Sequence, residues 1–262
     1  DPTVRAETFP LYLPEDDTSV FKYEDTASSR VHIGAMNEKL TGQRVGIVGL
    51  GGTGSYILDF VAKTHVKEIH LFDGNIFLQH NAFRAPGAAS EESLKMASKK
   101  VEYLAETYSA MRHGIVSHPA YLDESNLDQM TCLDFVFLCM DTGKTKAHIM
   151  DMLEEKGLCF IDVGLGILPY EGNYLGGLLR VTTSTPANRE TARKEIQSKE
   201  AAMEPNEYST NIQVVELNAL NAAFAVIRWK KMFGFYYESE SEHHSLYMIR
   251  ANEIANFGSQ RT

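Results

Sequence analysis

The residues that most directly indicate chemistry form a glycine-rich loop between an apolar strand and an apolar helical pattern. The loop reads Gly49-Leu50-Gly51-Gly52-Thr53-Gly54. In such a loop, Gly49 allows the tight turn, Gly51 lets the backbone approach a phosphate, and Gly54 lets the helix pack close to the strand. The N-terminus of the helix also offers N–H groups and a positive dipole end to an anion. We therefore predict that this loop, Gly52 included, binds a nucleotide.

A carboxylate at the end of the second predicted strand strengthens this prediction. Asp73 ends the run 68–73 and follows Gly54 by about 20 positions, the separation at which an acid takes the ribose hydroxyls of a nucleotide. A glycine motif alone is a weak signal. Strand, turn, helix, strand and acid together supply the context in which the motif indicates nucleotide binding.

Polar residues downstream predict that the nucleotide is a triphosphate. Asn81 and Arg84 follow the second strand, Lys100 opens a later helical stretch, and Asp141 ends a buried strand. Open α/β sheets bind ligands at the carboxyl ends of their strands, so these side chains are expected to converge. A departing pyrophosphate needs cations where charge develops, and Mg²⁺ needs a carboxylate, which we assign to Asp141. A nicotinamide or flavin oxidoreductase is the alternative, but hydride transfer does not require Arg84, Lys100 and Asp141 near the phosphates.

The elements that must position these residues alternate along the chain. Strands are predicted at 44–49, 68–73, 115–120, 133–140 and 158–163, with helices at 54–64, about 90–112 and 144–156. Strands that alternate with helices predict a Rossmann-like, doubly wound α/β sheet that is mostly parallel.

The pattern changes on either side of this alternating region. After residue 167 the sequence predicts a strand at 176–183, a polar crossover loop near 184–208, a long helix at 212–233 and a terminal strand at 245–250, which together form an antiparallel extension. Residues 1–27 are polar and contain three prolines, so we predict an extended arm there. A short helix is predicted within 28–39.

Composition narrows the class of protein. The chain has 262 residues and a net charge of −10, which disfavours a nucleic-acid partner. It shows no apolar run long enough to span a membrane and no signal-peptide pattern, so we expect no membrane association and a cytoplasmic location. Three cysteines without a CxxC pair argue against a disulfide framework or a cysteine zinc site. Because the chain begins at Asp1, we expect a fragment or a processed product.

The ordered motifs resemble the adenylation domain of the ubiquitin-activating (E1-like) superfamily, which includes the bacterial ThiF and MoeB proteins. The matching residues are the loop 49–54, Asp73, Asn81, Arg84, Lys100-Val101-Glu102 and Asp141. The resemblance covers about residues 28–255, so residues 28–262 are expected to form one adenylation domain. The runs 80–87 and 211–237 resemble stand-alone bacterial ThiF-like proteins. Some of these occur in operons with ubiquitin-like, E2-like and JAB-peptidase partners, and a role in antiviral defence is expected by that analogy alone.

The resemblance implies a reaction. Members of the superfamily bind ATP·Mg²⁺ and join its α-phosphorus to the C-terminal carboxylate of a protein, usually the Gly-Gly tail of a ubiquitin-like protein, and they release pyrophosphate. By this resemblance Asp73 holds the ribose and Asp141 positions Mg²⁺. The phosphates are contacted by Asn81, Arg84 and Lys100.

A further arginine usually reaches the site from the partner subunit of a dimer. Arg30 is the candidate here, so the resemblance implies a homodimer with a catalytic role for Arg30. Asn75 departs from the pattern, because an acid often stands at that position. Residues 168–262 contain no cysteine, where thioester-forming members carry one. The activated tail is therefore expected to pass to an E2-like protein or an upstream domain.

Two other functions within the same superfamily are alternatives to adenylation of a protein tail. A tRNA-modifying branch of the superfamily activates a small carboxylate on tRNA, but the negative charge of this chain disfavours tRNA. A catalytically silent scaffold could bind a ubiquitin-like partner without turnover, but it would not need Asp73, Arg84, Lys100 and Asp141 intact.

Overall fold

One eight-stranded sheet organises the chain. The computed structural model describes residues 11–14, 18–31, 33–141, 143–197 and 212–260. The strands run in the order β3-β2-β1-β4-β5-β6-β7-β8, with the first five parallel and the last three antiparallel. Their bounds are β1 Arg44–Val48, β2 Glu68–Phe72, β3 Ile115–His118, β4 Phe135–Leu138, β5 Cys159–Tyr170, β6 Tyr174–Ser184, β7 Glu240–Met248 and β8 Glu253–Gln260. The predicted doubly wound sheet with an antiparallel extension is confirmed.

Helices cover both faces of the parallel half. Their bounds are α1 Thr26–Arg30, α2 Gly34–Glu38, α3 Gly52–Ala62, α4 Gln79–Ala82, α5 Glu91–Lys95, α6 Lys100–Ser109, α7 Lys144–Glu155, α8 Arg189–Gln197 and α9 Val215–Met232. One core joins the sheet to α3, α6 and α9, and a second joins its other face to α7 and α8. No helix in the described part of the chain is long and apolar enough to cross a membrane.

The central strands are apolar on both faces because both faces are covered. All four residues of β4 are buried, as expected for a strand inside a parallel sheet. Phe135 and Phe137 point to the same side and pack against the fully buried Trp229 of α9, with ring centroids 6.5 and 6.0 Å away. The long C-terminal helix therefore closes the core beneath the glycine loop.

The single helix predicted at about 90–112 is wrong. Two helices, α5 and α6, occupy this stretch, and between them Ala97 has a φ of +49°, which an α-helix does not allow. A bridge between Ile76 and Lys99 draws the intervening segment toward the end of β2. The break places Lys100 at the first position of α6, beside that strand end.

The prediction of a loop near 184–208 is wrong where the structure describes this stretch. Helix α8 forms there because Ala192 and Ile196 bury one side against the sheet, although the rest of the helix is polar. Arg193 pairs with Asp151 and Glu154 of α7 at 2.8 and 2.7 Å. Residues 198–208 lie outside the described ranges.

The two ends of the chain also differ from the predictions. Two short helices, α1 and α2, replace the one predicted within 28–39, and β7 begins earlier than the predicted terminal strand and is followed by β8. In the predicted arm, Phe21 is buried and packs edge-on against His65, with centroids 5.0 Å apart. Residues 1–10 and 15–17 lie outside the described ranges, so an extended arm over 1–27 stays a prediction.

Candidate nucleotide site

The glycine loop connects β1 to α3 with a geometry that only glycine allows at two positions. Gly49 has a φ of +88°, and a Cβ there would lie 2.7 Å from the carbonyl oxygen of Cys139. A Cβ on Gly54 would lie 1.9 Å from the carbonyl oxygen of Gly49. The side of Gly51 where a Cβ would project has no atom within 4 Å. The backbone of the protein itself therefore requires glycine at positions 49 and 54, whereas Gly51 leaves open space for another molecule.

Helix α9 supports the loop from behind. The side chain of Asn218 occupies the position where a Cβ on Gly52 would project, and its Oδ1 accepts a hydrogen bond from Thr53 Oγ1 at 3.1 Å. Asn218 is buried, and its Nδ2 has no hydrogen-bond partner. Gly52 thus allows the first turn of α3 to contact α9 closely.

Asp73 is held rigidly at the end of β2. Its Oδ2 accepts from the backbone N–H of Leu50, and its Oδ1 accepts from that of Asn75, both at 2.8 Å. The carboxylate is buried, and Lys100 Nζ lies 3.4 Å from Oδ2. Oδ1 accepts from Asn75 alone among these donors and has a second lone pair, so a ribose hydroxyl can still donate to this group.

Lys100 is positioned by the start of α6. Its backbone N–H donates to the carbonyl of Asn75 at 2.9 Å, and Glu102 Oε2 accepts from the N–H of Lys99 at 3.1 Å, which caps the helix. Lys99 is itself tied down, because its Nζ donates to the carbonyl of Gly74. No local sequence pattern predicts that contact.

Asn81 lies in the short helix α4, and Arg84 follows that helix. Asn81 Oδ1 caps that helix by accepting from Leu78 N–H at 2.9 Å, while its buried Nδ2 has no hydrogen-bond partner. Arg84 is half-buried, and its Nε likewise lacks a partner. Burial lowers the pKa of neighbouring His80, and the charges of Arg84 and Lys100 lower it further. The charges of both cations therefore act on His80, and buried N–H donors of Asn81 and Arg84 remain available.

Asp141 follows the carboxyl end of β4 with an exposed side chain. Burial lowers the pKa of Arg84, while the negative charge of Asp141 opposes that shift. The charge of Asp141 thus acts on Arg84 from a separate element. Asp73 and Asp141 follow the carboxyl ends of β2 and β4, the two strands that flank β1 and its glycine loop. Arg30 is different, because it ends α1 with an exposed side chain outside the Asp73–Lys100 cluster.

Tyr121 shapes the site, although no sequence pattern identified it. The phenolic O–H of Tyr121 donates to Asn75 Oδ1 at 2.5 Å, and its ring packs over Gly74, where a Cβ would lie 2.7 Å away. Asn75 therefore links Asp73, Lys100 and Tyr121.

The cysteines are not arranged as nucleophiles. Burial raises the pKa of Cys139 and of Cys159, so both thiols stay protonated and weakly nucleophilic near neutral pH. Cys132 is exposed and its Sγ faces the carbonyl of Gln129.

A separate cavity of about 380 Å³ lies beside α7. Its lining includes Asp123, Glu124 and His148. Carboxylates at this cavity disfavour phosphate, so we assign the phosphates to the side of Arg84 and Lys100 instead.

The residues present fit ATP and Mg²⁺. Open space at Gly51 and unpartnered buried donors on Asn81 and Arg84 suit a polyphosphate. Among the described residues, no group of three or more His, Cys, Asp or Glu side chains is arranged to hold a metal ion. One carboxylate is enough for Mg²⁺ when substrate phosphates supply the other ligands, and Asp141 is placed to provide it.

Comparisons with known proteins identify the family. A model of the ThiF family matches residues 26–227. No curated protein sequence matches the chain.

Solved structures share the fold. The crystal structure of PaaA has a TM-score of 0.68 at 13% identity, over 99% of this chain and 79% of that one. E. coli MccB with ATP has a TM-score of 0.63 at 15% identity, over 91% of this chain and 73% of MccB. MccB with AMPCPP and MccA gives 0.59 at 16%, over 87% and 67%. At these identities the likeness establishes the architecture.

Proposed function

The chain belongs to the ThiF family, and we propose that it is an ATP-dependent adenylyltransferase that activates the C-terminal carboxylate of a protein or peptide. One observation carries this proposal. Lys100 lies 3.4 Å from Asp73, which accepts from Leu50 of a glycine loop with open space at Gly51, and the charge of Asp141 acts on the half-buried Arg84. Two cations and a carboxylate suit a triphosphate with Mg²⁺ and have no use in hydride transfer.

The reaction follows from these positions. A carboxylate oxygen of the substrate attacks the α-phosphorus of ATP, and the bond to the bridging oxygen of the β-phosphate breaks. The products are an acyl-adenylate and pyrophosphate. Lys100 and Arg84 are placed to stabilise the charge that develops on the leaving pyrophosphate. Asp141 would hold Mg²⁺, which would neutralise part of the charge on the phosphates. Asp73 would fix the ribose, so that the α-phosphorus is presented in one orientation.

Comparison supports a macromolecular substrate. The related structures include MccB in complex with N-formylated MccA, so a protein of this fold binds ATP and MccA. We propose that the substrate of this chain is a ubiquitin-like protein with a C-terminal Gly-Gly tail. Because residues 168–262 contain no cysteine and burial raises the pKa of Cys139 and Cys159, we propose that the acyl group passes to an acceptor on another molecule.

ATP–pyrophosphate exchange tests the proposal directly. The purified chain is assayed with candidate Gly-Gly-tailed proteins and with the same proteins lacking the two glycines. We expect exchange that depends on the tail and falls by about 100-fold or more in Asp141→Ala, the scale on which loss of a transition-state contact is felt. Asp128→Ala removes another exposed carboxylate and is expected to leave exchange unchanged. Tight ATP binding without exchange for any partner would instead favour the silent scaffold.

A homodimer in which Arg30 acts on the partner's site is a second part of the proposal. Arg30 is exposed on α1, outside the Asp73–Lys100 cluster of its own chain. Mixing inactive Arg30→Ala with inactive Asp141→Ala would then restore about a quarter of the activity, because half of the dimers would contain one complete site. If Arg30 acted within its own chain, no mixed dimer would contain a complete site and mixing would restore nothing.

A further inference from the structure

A buried ion cluster lies behind the connection that carries Asp141. Asp162 of β5 is 0% exposed and faces two cations, Lys146 of α7 at 2% and Arg180 of β6 at 5%. Lys146 Nζ lies 2.5 Å from Oδ1 as an ion pair, and Arg180 Nη2 donates to Oδ2 at 2.6 Å. Buried ion pairs are costly to desolvate and are often replaceable by apolar residues without loss of stability. Stability alone therefore does not account for this cluster.

The position of Asp162 in the fold suggests what the cluster does. Leu138, the last residue of β4, pairs with Asp162 in the parallel register. Lys146 lies in the first turn of α7, on the other side of Asp141 in the sequence. Asp162 therefore adjoins both ends of the short connection from β4 to α7, because its backbone lies beside Leu138 and its carboxylate pairs with Lys146. Asp141 lies between those two ends in the sequence.

The same connection also touches the glycine loop. Cys139 N–H donates to the carbonyl of Val48 at 2.8 Å, and the carbonyl of Cys139 leaves room only for glycine at position 49. A shift of this connection would therefore move Asp141 relative to the loop that is proposed to bind the phosphates.

We propose that Asp162 and Lys146 are positioning residues for Asp141. The ion pair anchors the start of α7 to β5 and so holds Asp141 at the distance from Arg84 and the glycine loop that Mg²⁺·ATP requires. This inference rests on the proposed adenylation function, since that function gives Asp141 its role. Arg180, the second cation, connects Asp162 to β6 and not to α7, because its Nη2 donates to Asp162 and its Nη1 donates to Thr182 Oγ1.

The cluster offers a matched pair of variants. Lys146→Met cuts the tether to α7 but leaves Asp162 neutralised by Arg180. Arg180→Met removes the other cation and leaves the tether intact. Both variants remove one buried cation from the same carboxylate, so both are expected to lower the melting temperature. They differ in whether the start of α7 remains attached to β5.

Two measurements on the full chain follow from this difference. The first is the Mg²⁺ concentration for half-maximal pyrophosphate exchange. We expect it to rise at least about tenfold in Lys146→Met and to stay within about twofold of wild type in Arg180→Met, the range in which outer partners tune metal sites. The second is hydrogen exchange at Met140, Asp141 and the first turn of α7, which is expected to speed up in Lys146→Met alone.

Each result decides one claim. Equal changes in Mg²⁺ requirement for both variants, in proportion to their melting temperatures, would show that the cluster is only structural and would overturn the proposal. If wild type shows no exchange with any partner, the proposed function fails. Hydrogen exchange still decides the anchor in that case, because unchanged protection around Asp141 in Lys146→Met would overturn it.

Discussion

Two glycines of the same loop are expected to respond in opposite ways to one added methyl group. A Cβ on Gly54 would lie 1.9 Å from the carbonyl oxygen of Gly49, whereas ordinary contacts begin at 3.4 Å, so α3 or the turn would have to retreat by about 1.5 Å. The obstructing atom is backbone and cannot rotate away. A Cβ on Gly51 meets no atom within 4 Å.

The free energies of unfolding should separate the variants. Overpacking costs about 1–3 kcal/mol or more, and we place Gly54→Ala at about 3 kcal/mol because backbone must move. That corresponds to a fall in melting temperature of about 6–12 °C for a chain of this size. Gly51 precedes α3 as its N-cap. Since alanine is a poor N-cap, Gly51→Ala is expected to cost about 1 kcal/mol at most.

Nucleotide binding should show the reverse order. If phosphates occupy the open space at Gly51, its added methyl group displaces them. We expect the Kd for ATP to rise at least about tenfold, equivalent to about 1.4 kcal/mol. Thermal unfolding and titration calorimetry with Mg²⁺·ATP measure the two effects on the same samples. Wild-type affinity in Gly51→Ala would refute the placement of the phosphates, and a wild-type melting temperature in Gly54→Ala would refute the steric argument.

Three further predictions concern stability. Burial, and then the charge of His70, lower the pKa of His118 in the fold. Below about pH 6.5 the unfolded chain therefore binds more protons than the folded chain does, so the free energy of unfolding falls as the pH drops. His118→Gln should reduce the fall in melting temperature between about pH 7 and 5. An unchanged dependence of melting temperature on pH would contradict this. Phe21→Ala, which empties a buried site, should cost about 3–5 kcal/mol in denaturant unfolding, and a cost near zero would mean that the segment does not pack as described. Asn218→Ala should cost about 1–2 kcal/mol by removing the partner of Thr53, and no loss would show that this hydrogen bond contributes nothing net.

Local patterns in the sequence predicted the buried strands and the glycine turn, because both depend on the types of neighbouring residues. Runs of apolar residues marked β1, β2 and β4, because a strand buried on both faces must be apolar throughout. The glycines of the loop between β1 and α3 marked a turn with a positive φ, and the structure has that φ at Gly49. The positions of Asp73 and Asp141 at strand ends followed from the same strand boundaries.

Contacts between distant segments escaped this reasoning. The break before α6 depends on a bridge between Ile76 and Lys99 that holds Ala97 at a positive φ. Helix α8 looks too polar to be ordered until its tertiary partners on α7 and the sheet are known. The packing of Asn218 against Gly52 has no signal in either local sequence, because the two residues meet only after α9 folds back across the sheet.

The sequence by itself determined the alternation of strands and helices, the glycine loop, and the types of side chain available at the strand ends, because periodicity and backbone freedom are properties of neighbouring residues. The tertiary structure decided which of those side chains meet. It paired Lys100 with Asp73, brought the charge of Asp141 to Arg84, and buried Asp162 between Lys146 and Arg180. Electrostatic and steric contacts act through space, so residues far apart in the chain acquire them only once the sheet has assembled.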